Sequence, residues 1–372
     1  LAAGGLNGAA IYDTDSGTLQ GLVRGAYASV VAWSSDSKYV AFGDWKSNVH
    51  DEAHVIITEG ETGEIVSDFS FEETITQLYW RPNHDELIVV DSASQLFIVN
   101  VDSWSSPNPS ILHTDIGTSA AWSSDGQVIA AADTNYGARI WDAQTGELLD
   151  ARMHRGQPAT MLAWQPGGTL LATAGGDGRQ SQNNNVTIWD TSIEDRNSEN
   201  RLMTIPHINL VADIAWSPDG ETLATAERNQ YLRLWQPAQP NTIEVIDTWA
   251  IRLAPFIDYT QIIHSLGWSP EGELIDFSYS GSGNGGAMHV VDVEQMALIE
   301  QMSPQMRYST CSWTPENRFI LASWSTNPAM QNYDVTLGGE GVPDPPPTFT
   351  GLSADVRHAF TKLPSKTTVN KL

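Results

Sequence analysis

The sequence is poor in cysteine and in positive charge, and each shortage excludes something. Cys311 is the only cysteine, so there is no internal disulfide and no Cys-pair zinc site. It stands two residues before Trp313 in an apolar stretch, where a lone thiol packs as a small hydrophobe. Lys and Arg total 19 against 45 Asp and Glu, a formal net charge of −26. Such a polyanion is repelled by nucleic acid and by anionic lipid, so neither is an expected partner. No apolar run approaches the ~20 residues of a helical membrane span, and no membrane insertion is expected. Catalytic signatures are scarce as well. There is no Gly-x-Ser-x-Gly elbow, and the carboxylates are too dispersed to single out a glycosidase pair.

Tryptophan is plentiful, with 14 residues, and it keeps time. A small residue precedes a Trp in Ala32-Trp33, Ala121-Trp122, Ala163-Trp164, Ala215-Trp216, Gly267-Trp268 and Ser312-Trp313, with Tyr79-Trp80 as the one bulky variant. A Ser/Pro/Asp/Gly turn usually follows, as in Ser217-Pro218-Asp219-Gly220, and then a short apolar run such as Leu223-Ala224-Thr225-Ala226. Further on comes an alternating strand, seen most clearly as Ile140-Trp141-Asp142 and Ile188-Trp189-Asp190. A period of about 45 residues built only from strands and turns predicts radial blades in an all-β fold.

The second type of strand has eight representatives, centred on Tyr12-Asp13, Thr58-Glu59, Val99-Asn100, Trp141-Asp142, Trp189-Asp190, Trp235-Gln236, Val291-Asp292 and Tyr333-Asp334. Ala359-Phe360 repeats the small-then-aromatic pattern near the C-terminus. Residues 26–340 therefore read as seven Trp-anchored repeats. Residues 1–25 (strands Ala10 to Asp13 and Leu19 to Val23) read as the outer strands of a closing blade, and residues 341–372 as its inner strands. This composite blade favours eight blades and leaves no free sheet edge. With seven blades, 341–372 is instead a basic C-terminal arm after Pro345-Pro346-Pro347, carrying Arg357, Lys362, Lys366 and Lys371.

These repeats resemble the WD-repeat family of β-propellers over essentially the whole chain. In that family a loop His, a strand Ser/Thr, a turn Asp and a strand Trp form a hydrogen-bonded set within a blade. The resemblance implies that His154, Thr173, Asp177 and Trp189 form this structural tetrad, and that His207, Thr225 and Trp235 form three quarters of another. Thr58, Val99 and Val291 stand where Trp is expected, which leaves the internal bonds of those blades in doubt. A shared fold does not fix activity.

Few residues invite chemistry. His113, His154 and His207 fall nine or ten residues before a repeat Trp, where the family uses a structural His, so no metal site is expected. Asp13-Thr14-Asp15-Ser16-Gly17 starts like a calcium loop but lacks the later carboxylates. Asn185-Val186-Thr187 is a formal glycosylation sequon. No cofactor is expected. Eleven residues past the repeat aromatics stand Asp44, Asp91, Asp133 and Glu227, which a propeller gathers around one mouth of its channel. With Trp45, Tyr136, Arg228, Tyr279 and Trp324 they form a candidate site for a cation or a basic peptide. Insertions at Gln180 to Asn184, Glu194 to Asn200 and Pro237 to Tyr259 add loops, the last with Trp249 and Phe256 as candidate interface anchors.

The expectation is a non-catalytic protein-interaction scaffold, a subunit of a larger assembly, whose partners are basic proteins or further copies of itself. A propeller enzyme with a site at the channel mouth and a sensor domain of a signalling protein are the alternatives. The acidic, Lys-poor surface and the Leu1 start favour a secreted or cell-surface location over the cytoplasm.

Overall fold

The computed structural model describes residues 2–5, 8–13, 19–24, 28–44, 52–101, 116–133, 137–153, 159–175, 184–192, 201–207, 209–228, 231–237, 244–247, 262–280, 286–295, 297–306, 309–313, 318–323 and 330–334. Among these residues every regular element is a β-strand, and the strands form eight antiparallel sheets, each a meander in chain order. The first holds β1 (Ala2–Gly5), β2 (Gly8–Tyr12) and β3 (Leu19–Arg24). The second holds β4 (Ala28–Trp33), β5 (Tyr39–Asp44), β6 (Ala53–Glu59) and β7 (Ile65–Phe71), and the third β8 (Ile75–Trp80), β9 (Glu86–Asp91) and β10 (Leu96–Asn100). Next come β11 (Ile116–Trp122), β12 (Val128–Asp133), β13 (Gly137–Asp142) and β14 (Leu148–Met153). The fifth sheet is β15 (Met161–Trp164), β16 (Leu170–Ala174), β17 (Val186–Asp190) and β18 (Arg201–Ile205). The sixth is β19 (Val211–Trp216), β20 (Leu223–Glu227), β21 (Leu232–Gln236) and β22 (Glu244–Asp247). The last two are β23 (Ile262–Trp268), β24 (Leu274–Ser280), β25 (Gly286–Asp292) and β26 (Ala297–Met306), and then β27 (Ser309–Trp313), β28 (Arg318–Ser323) and β29 (Met330–Asp334).

Each repeat Trp ends the first strand of its sheet, and all eight expected strand centres fall at the ends of β2, β6, β10, β13, β17, β21, β25 and β29. First strands pack on first strands around the series: β4 on β8, β8 on β11, β11 on β15, β15 on β19, β19 on β23 and β23 on β27. The first strand is thus the inner one. The cores lie between sheets. Ala9, Ile11 and Val23 meet Val40, Phe42 and Ile56 at one junction, and Ala41, Val55 and Ile57 meet Ile75, Leu87 and Val89 at the next. A second strand, covered on both faces, is continuously buried, as β5 and β20 are. An outermost strand alternates, as β7 does with Phe69 and Phe71 in and Asp68 and Ser70 out. Each fully buried Ile, Leu or Phe contributes about 1.5–3 kcal/mol.

Five of the repeat Trp residues bridge to the preceding sheet by the same bond. Trp80 Nε1 donates to the Ala32 carbonyl of the preceding sheet (2.9 Å), and Trp122 donates to Tyr79 (2.9 Å). Trp164 likewise donates to Ala121 (3.3 Å), Trp216 to Ala163 (3.1 Å) and Trp268 to Ala215 (3.1 Å). Every acceptor is the residue just before the previous Trp. The turn after the Trp is equally regular: Ser34, Ser123 and Ser217 donate from Oγ to Asp36, Asp125 and Asp219, and their Oγ atoms accept the amides of Tyr39, Val128 and Thr222.

The N-terminal sheet differs from expectation. It contributes three strands instead of two, because Ala2–Gly5 forms β1. The register places it as a second strand: Ala2 faces Ile11 and Ala3 faces Ala10, as Ala172 faces Ile188 and Thr173 faces Thr187 in the fifth sheet. A run of Ala and Gly carries little strand propensity, which hid it. A Cβ on Gly21 of β3 would sit 2.6 Å from Gly63 Cα, so backbone meets backbone where this sheet packs on the next. Within the Pro237 to Tyr259 insertion, Glu244–Asp247 is the outer strand β22. Residues 341–372, the expected inner strands or basic arm, lie outside the described residues, as do Trp249 and Phe256.

Candidate functional site

Strand direction alternates within each sheet, so the ends of the second strands all lie at one end of the ring. Asp44, Asp91, Asp133, Glu227 and Tyr279 fall at or beside those ends, on β5, β9, β12, β20 and β24. The acids whose side chains are described do not present an open ring. Asp44, Asp91 and Glu227 are buried. Asp91 Oδ1 accepts the Gln95 amide (2.8 Å) and closes its own hairpin, and burial raises its pKa. Glu227 is fully buried, paired with Arg233 Nε at 2.7 Å, and takes the Asn209 amide at 3.3 Å. Asp91 caps the turn that follows it, while Glu227 ties the loop before β19 to the end of β20. Arg228 is exposed. Trp45, Tyr136 and Trp324 lie outside the described residues, and for Asp133 and Tyr279 only the backbone is described.

The predicted hydrogen-bonded sets come together where they are described. Trp189 Nε1 donates to Thr173 Oγ1 at 2.8 Å, while His154 and Asp177 lie outside the described residues. In the next sheet Trp235 Nε1 donates to Thr225 Oγ1 (3.0 Å), which lies 2.9 Å from His207 Nε2, and His207 Nδ1 is 3.0 Å from the Ile205 carbonyl. Burial pushes His207 down to about 4, so its ring is neutral. It donates from Nδ1 and accepts the Thr225 hydroxyl at Nε2. In two of the three sheets where Trp is replaced, the second strand carries a Phe: Phe42 and Phe277 are among the largest fully buried side chains, in the sheets of Thr58 and Val291, while Val89 holds that place in the sheet of Val99.

The inner wall holds Tyr79, the one bulky variant of the repeat, and two acids the sequence did not single out. Tyr79, bulky where its counterparts are small, donates from its hydroxyl to Gln77 Oε1 (3.0 Å). Burial raises its pKa, and the charge of Asp213 adds to the rise. Asp213 Oδ2 accepts the Leu266 amide from the neighbouring sheet (2.8 Å), and Oδ1 accepts the Ile214 amide (2.9 Å). Burial pushes its carboxyl up to about 6, with the Asp276 charge contributing. Asp276 is itself buried and accepts the Trp313 indole N–H. The available signals were an acid three residues before a repeat Trp and an acid breaking the apolar run Leu274-Ile275-Asp276-Phe277. Asn185-Val186-Thr187 enters β17 with Val186 and Thr187 buried. Among the described residues no three metal-ligating side chains gather.

The comparisons with known proteins agree with this architecture. The family described as "Eukaryotic translation initiation factor eIF2A" matches residues 44–194, and "WD domain, G-beta repeat" matches residues 200–236. The chain is similar to the "Probable cytosolic iron-sulfur protein assembly protein 1" of Kluyveromyces lactis, 29% identical over 34% of this chain and 38% of that protein. It is also similar to "Protein transport protein sec13" of Aspergillus fumigatus, 21% identical over 58% of this chain and 70% of that one. The chain thus spans well under two thirds of the first of these. A chain in the "Crystal Structure of Mitotic Checkpoint Complex" superposes with a TM-score of 0.56 at 18% identity, covering 75% of this chain and 80% of that chain, and shows the fold. One of these relatives is cytosolic by name. That overturns the expected secreted or cell-surface location: acidity and a low Lys content do not distinguish an exported surface from a solvated intracellular one.

Proposed function

We propose that this β-propeller, which resembles WD-repeat proteins, is a non-catalytic scaffold holding partner proteins within a larger assembly. One observation carries this reading. Inside the sheet β19–β22 polar groups bond to each other, as Thr225 does with Trp235 and His207, while the hairpins joining first to second and third to fourth strands present carboxylates outward. Asp36, Glu61, Asp125, Glu147, Glu221 and Glu271 are exposed there, and Lys38 is the exposed Lys among the described residues of that face. Like charges on one face build a field that gathers cationic surfaces, so the partner is a protein with a basic face. We assign the basic preference to the hairpin face and not to the ends of the second strands. The relatives, by their names an assembly protein and a transport protein, support a protein-interaction role. The proposal includes a closing sheet in which β1–β3 are joined by a strand from residues 341–372.

The test is carboxyl-reactive cross-linking of the natively purified protein, with peptide mapping and a light-scattering mass across a salt series. Cross-links from these hairpins into a partner, lost at high salt and in a Glu61→Lys, Glu221→Lys, Glu271→Lys variant, support the reading. A 40.6 kDa monomer at every salt concentration, or a complex indifferent to both salt and charge reversal, overturns it.

A further inference from the structure

In four sheets the residue before the repeat Trp is an Ala that faces an Ala of the second strand. The pairs are Ala32 with Ala41, Ala121 with Ala130, Ala163 with Ala172 and Ala215 with Ala224. In the sheet β23–β26 the pair is Gly267 with Asp276. A Cβ on residue 267 would lie 2.6 Å from Asp276 Oδ1, so glycine is what admits the acid. In the N-terminal sheet the second-strand half of such a pair is present, and the first-strand half is not among the described residues. Ala2 faces Ile11 as Ala172 faces Ile188, and it packs with Val31 and Trp33 of the next sheet. Leu1 precedes it as Leu171 precedes Ala172 and Leu223 precedes Ala224. The counterpart in the sequence is Ala359, since Ala359-Phe360 follows Trp313 at the spacing at which Tyr79-Trp80 follows Trp33.

We propose that residues 355–360 form the single inner strand on β1, with Ala359 facing Ala2, and that residues 361–371, denied the second-strand place by β1, cross the hairpin face of their own ring. This rests on the closing sheet and the acidic face proposed above, and it names the first occupant of that face. A first strand ends at the hairpin face, as β4 does before Ser34 and Asp36 and β19 does before Ser217 and Asp219. Phe360 therefore delivers the chain there. Because β1 packs on β4, the turn carrying exposed Asp36 lies beside the exit. The segment suits that face: Lys362, Lys366 and Lys371 are three of the five Lys in the chain, and residues 361–371 hold no acid. Tethered to the same ring, it meets the face at a high effective concentration and competes with a basic partner. A return as a second strand would instead carry Lys371 to the other end of the ring, with the ends of β5, β9 and β20.

Carbodiimide cross-linking of the purified full chain, dilute and without a partner, separates the two paths. Isopeptide links are mapped in the monomer. Lys371 or Lys366 is expected to join hairpin-face acids such as Asp36, Asp125, Glu221 or Glu271, and the links should vanish at high salt. Hydrogen exchange reads the strand: Ala359→Pro, which removes a ladder donor and bends the chain, should speed exchange of the β1 amides several-fold. A Lys362→Glu, Lys366→Glu, Lys371→Glu variant should bind an octalysine peptide several-fold more tightly than the unmodified chain. Lys371 linked to acids at the second-strand ends, links found only between copies, no link from these Lys in the monomer, or β1 exchange indifferent to Ala359→Pro overturns the proposal. Octalysine that binds neither protein overturns the acidic face as a partner site, while the mapped links still decide the path of the segment.

Discussion

In the sheet β19–β22, Thr225 binds Trp235 and His207 through one hydroxyl, and Trp216 reaches back to the Ala163 carbonyl. In the next sheet, β23–β26, Phe277 and Val291 stand at the equivalent strand positions and are fully buried without polar bonds to each other. The indole of Trp313 is anchored on Asp276. The first sheet is specified by hydrogen bonds and the second by bulk and charge, yet both fill the same place in the ring. A hydrogen-bonded core loses much when one partner is removed, because the others are left buried and unpaired. A core held by bulk depends on volume, and one held by a carboxylate depends on pH as well. Neighbouring sheets of one fold should therefore fail differently.

The largest effect belongs to what the two sheets share. Trp216→Ala removes a buried indole and the bond across the junction, and should cost about 3–5 kcal/mol in urea unfolding. Trp216→Phe keeps most of the volume and should cost about 1–2 kcal/mol. Next comes Thr225→Val, nearly the same shape without the hydroxyl. It strands the Trp235 N–H and the His207 Nε2 together and should cost about 2–3 kcal/mol. If it costs less than the methylene-scale changes of an apolar core, the hydrogen-bonded set is ornamental and the contrast with Phe277 collapses. Gly267→Ala tests the other sheet. The added methyl meets Asp276 and should cost about 2 kcal/mol by overpacking. Asp276→Ala in the same chain restores the Ala–Ala pairing of the earlier sheets and should recover part of that loss, a non-additive result a double-mutant cycle would show.

The fold was legible because its signals are local. The repeated Trp, the Ser-x-Asp turn and the strand ending in Trp-Asp each take part in a bond now visible, and these mark the strand ends. What escaped lacked a local signal. Strand β1 is Ala and Gly, and only its register beside β2 identifies it. The candidate acids Asp91 and Glu227 were placed at the correct strand ends, but their burial was not legible. A turn-capping carboxylate and a ligand-facing one are the same letter, and the partner amide, Gln95 or Asn209, comes from chain geometry. Asp276 was hidden for the opposite reason: it sits in an apolar run, and its meaning depends on Gly267 across the strand pair and Trp313 in the next sheet.

Acid titration sets the two sheets against each other with opposite signs. His207 has its folded pKa pushed down to about 4 from an ordinary value of 6.5. Its contribution is therefore intact above pH 6.5 and is lost as pH falls toward 4, because the unfolded chain takes up the proton first. Asp213 has its folded carboxyl raised to about 6 from 3.8. Here the folded chain takes up the proton first, so stability is gained as pH falls through 6 and is lower above it. Between pH 7 and pH 5 each effect amounts to about 1–2 kcal/mol, and in the unmodified chain they largely cancel. Urea midpoints should separate them. Asp213→Asn exposes the histidine and loses stability on acidification relative to the unmodified chain. His207→Asn exposes the carboxylate and gains stability over the same interval relative to the unmodified chain. His289, held near 4 by burial, is common to all three proteins and drops out of the differences. Parallel curves for the three proteins would mean that neither group is set by its sheet, and the contrast between the two would rest on packing alone.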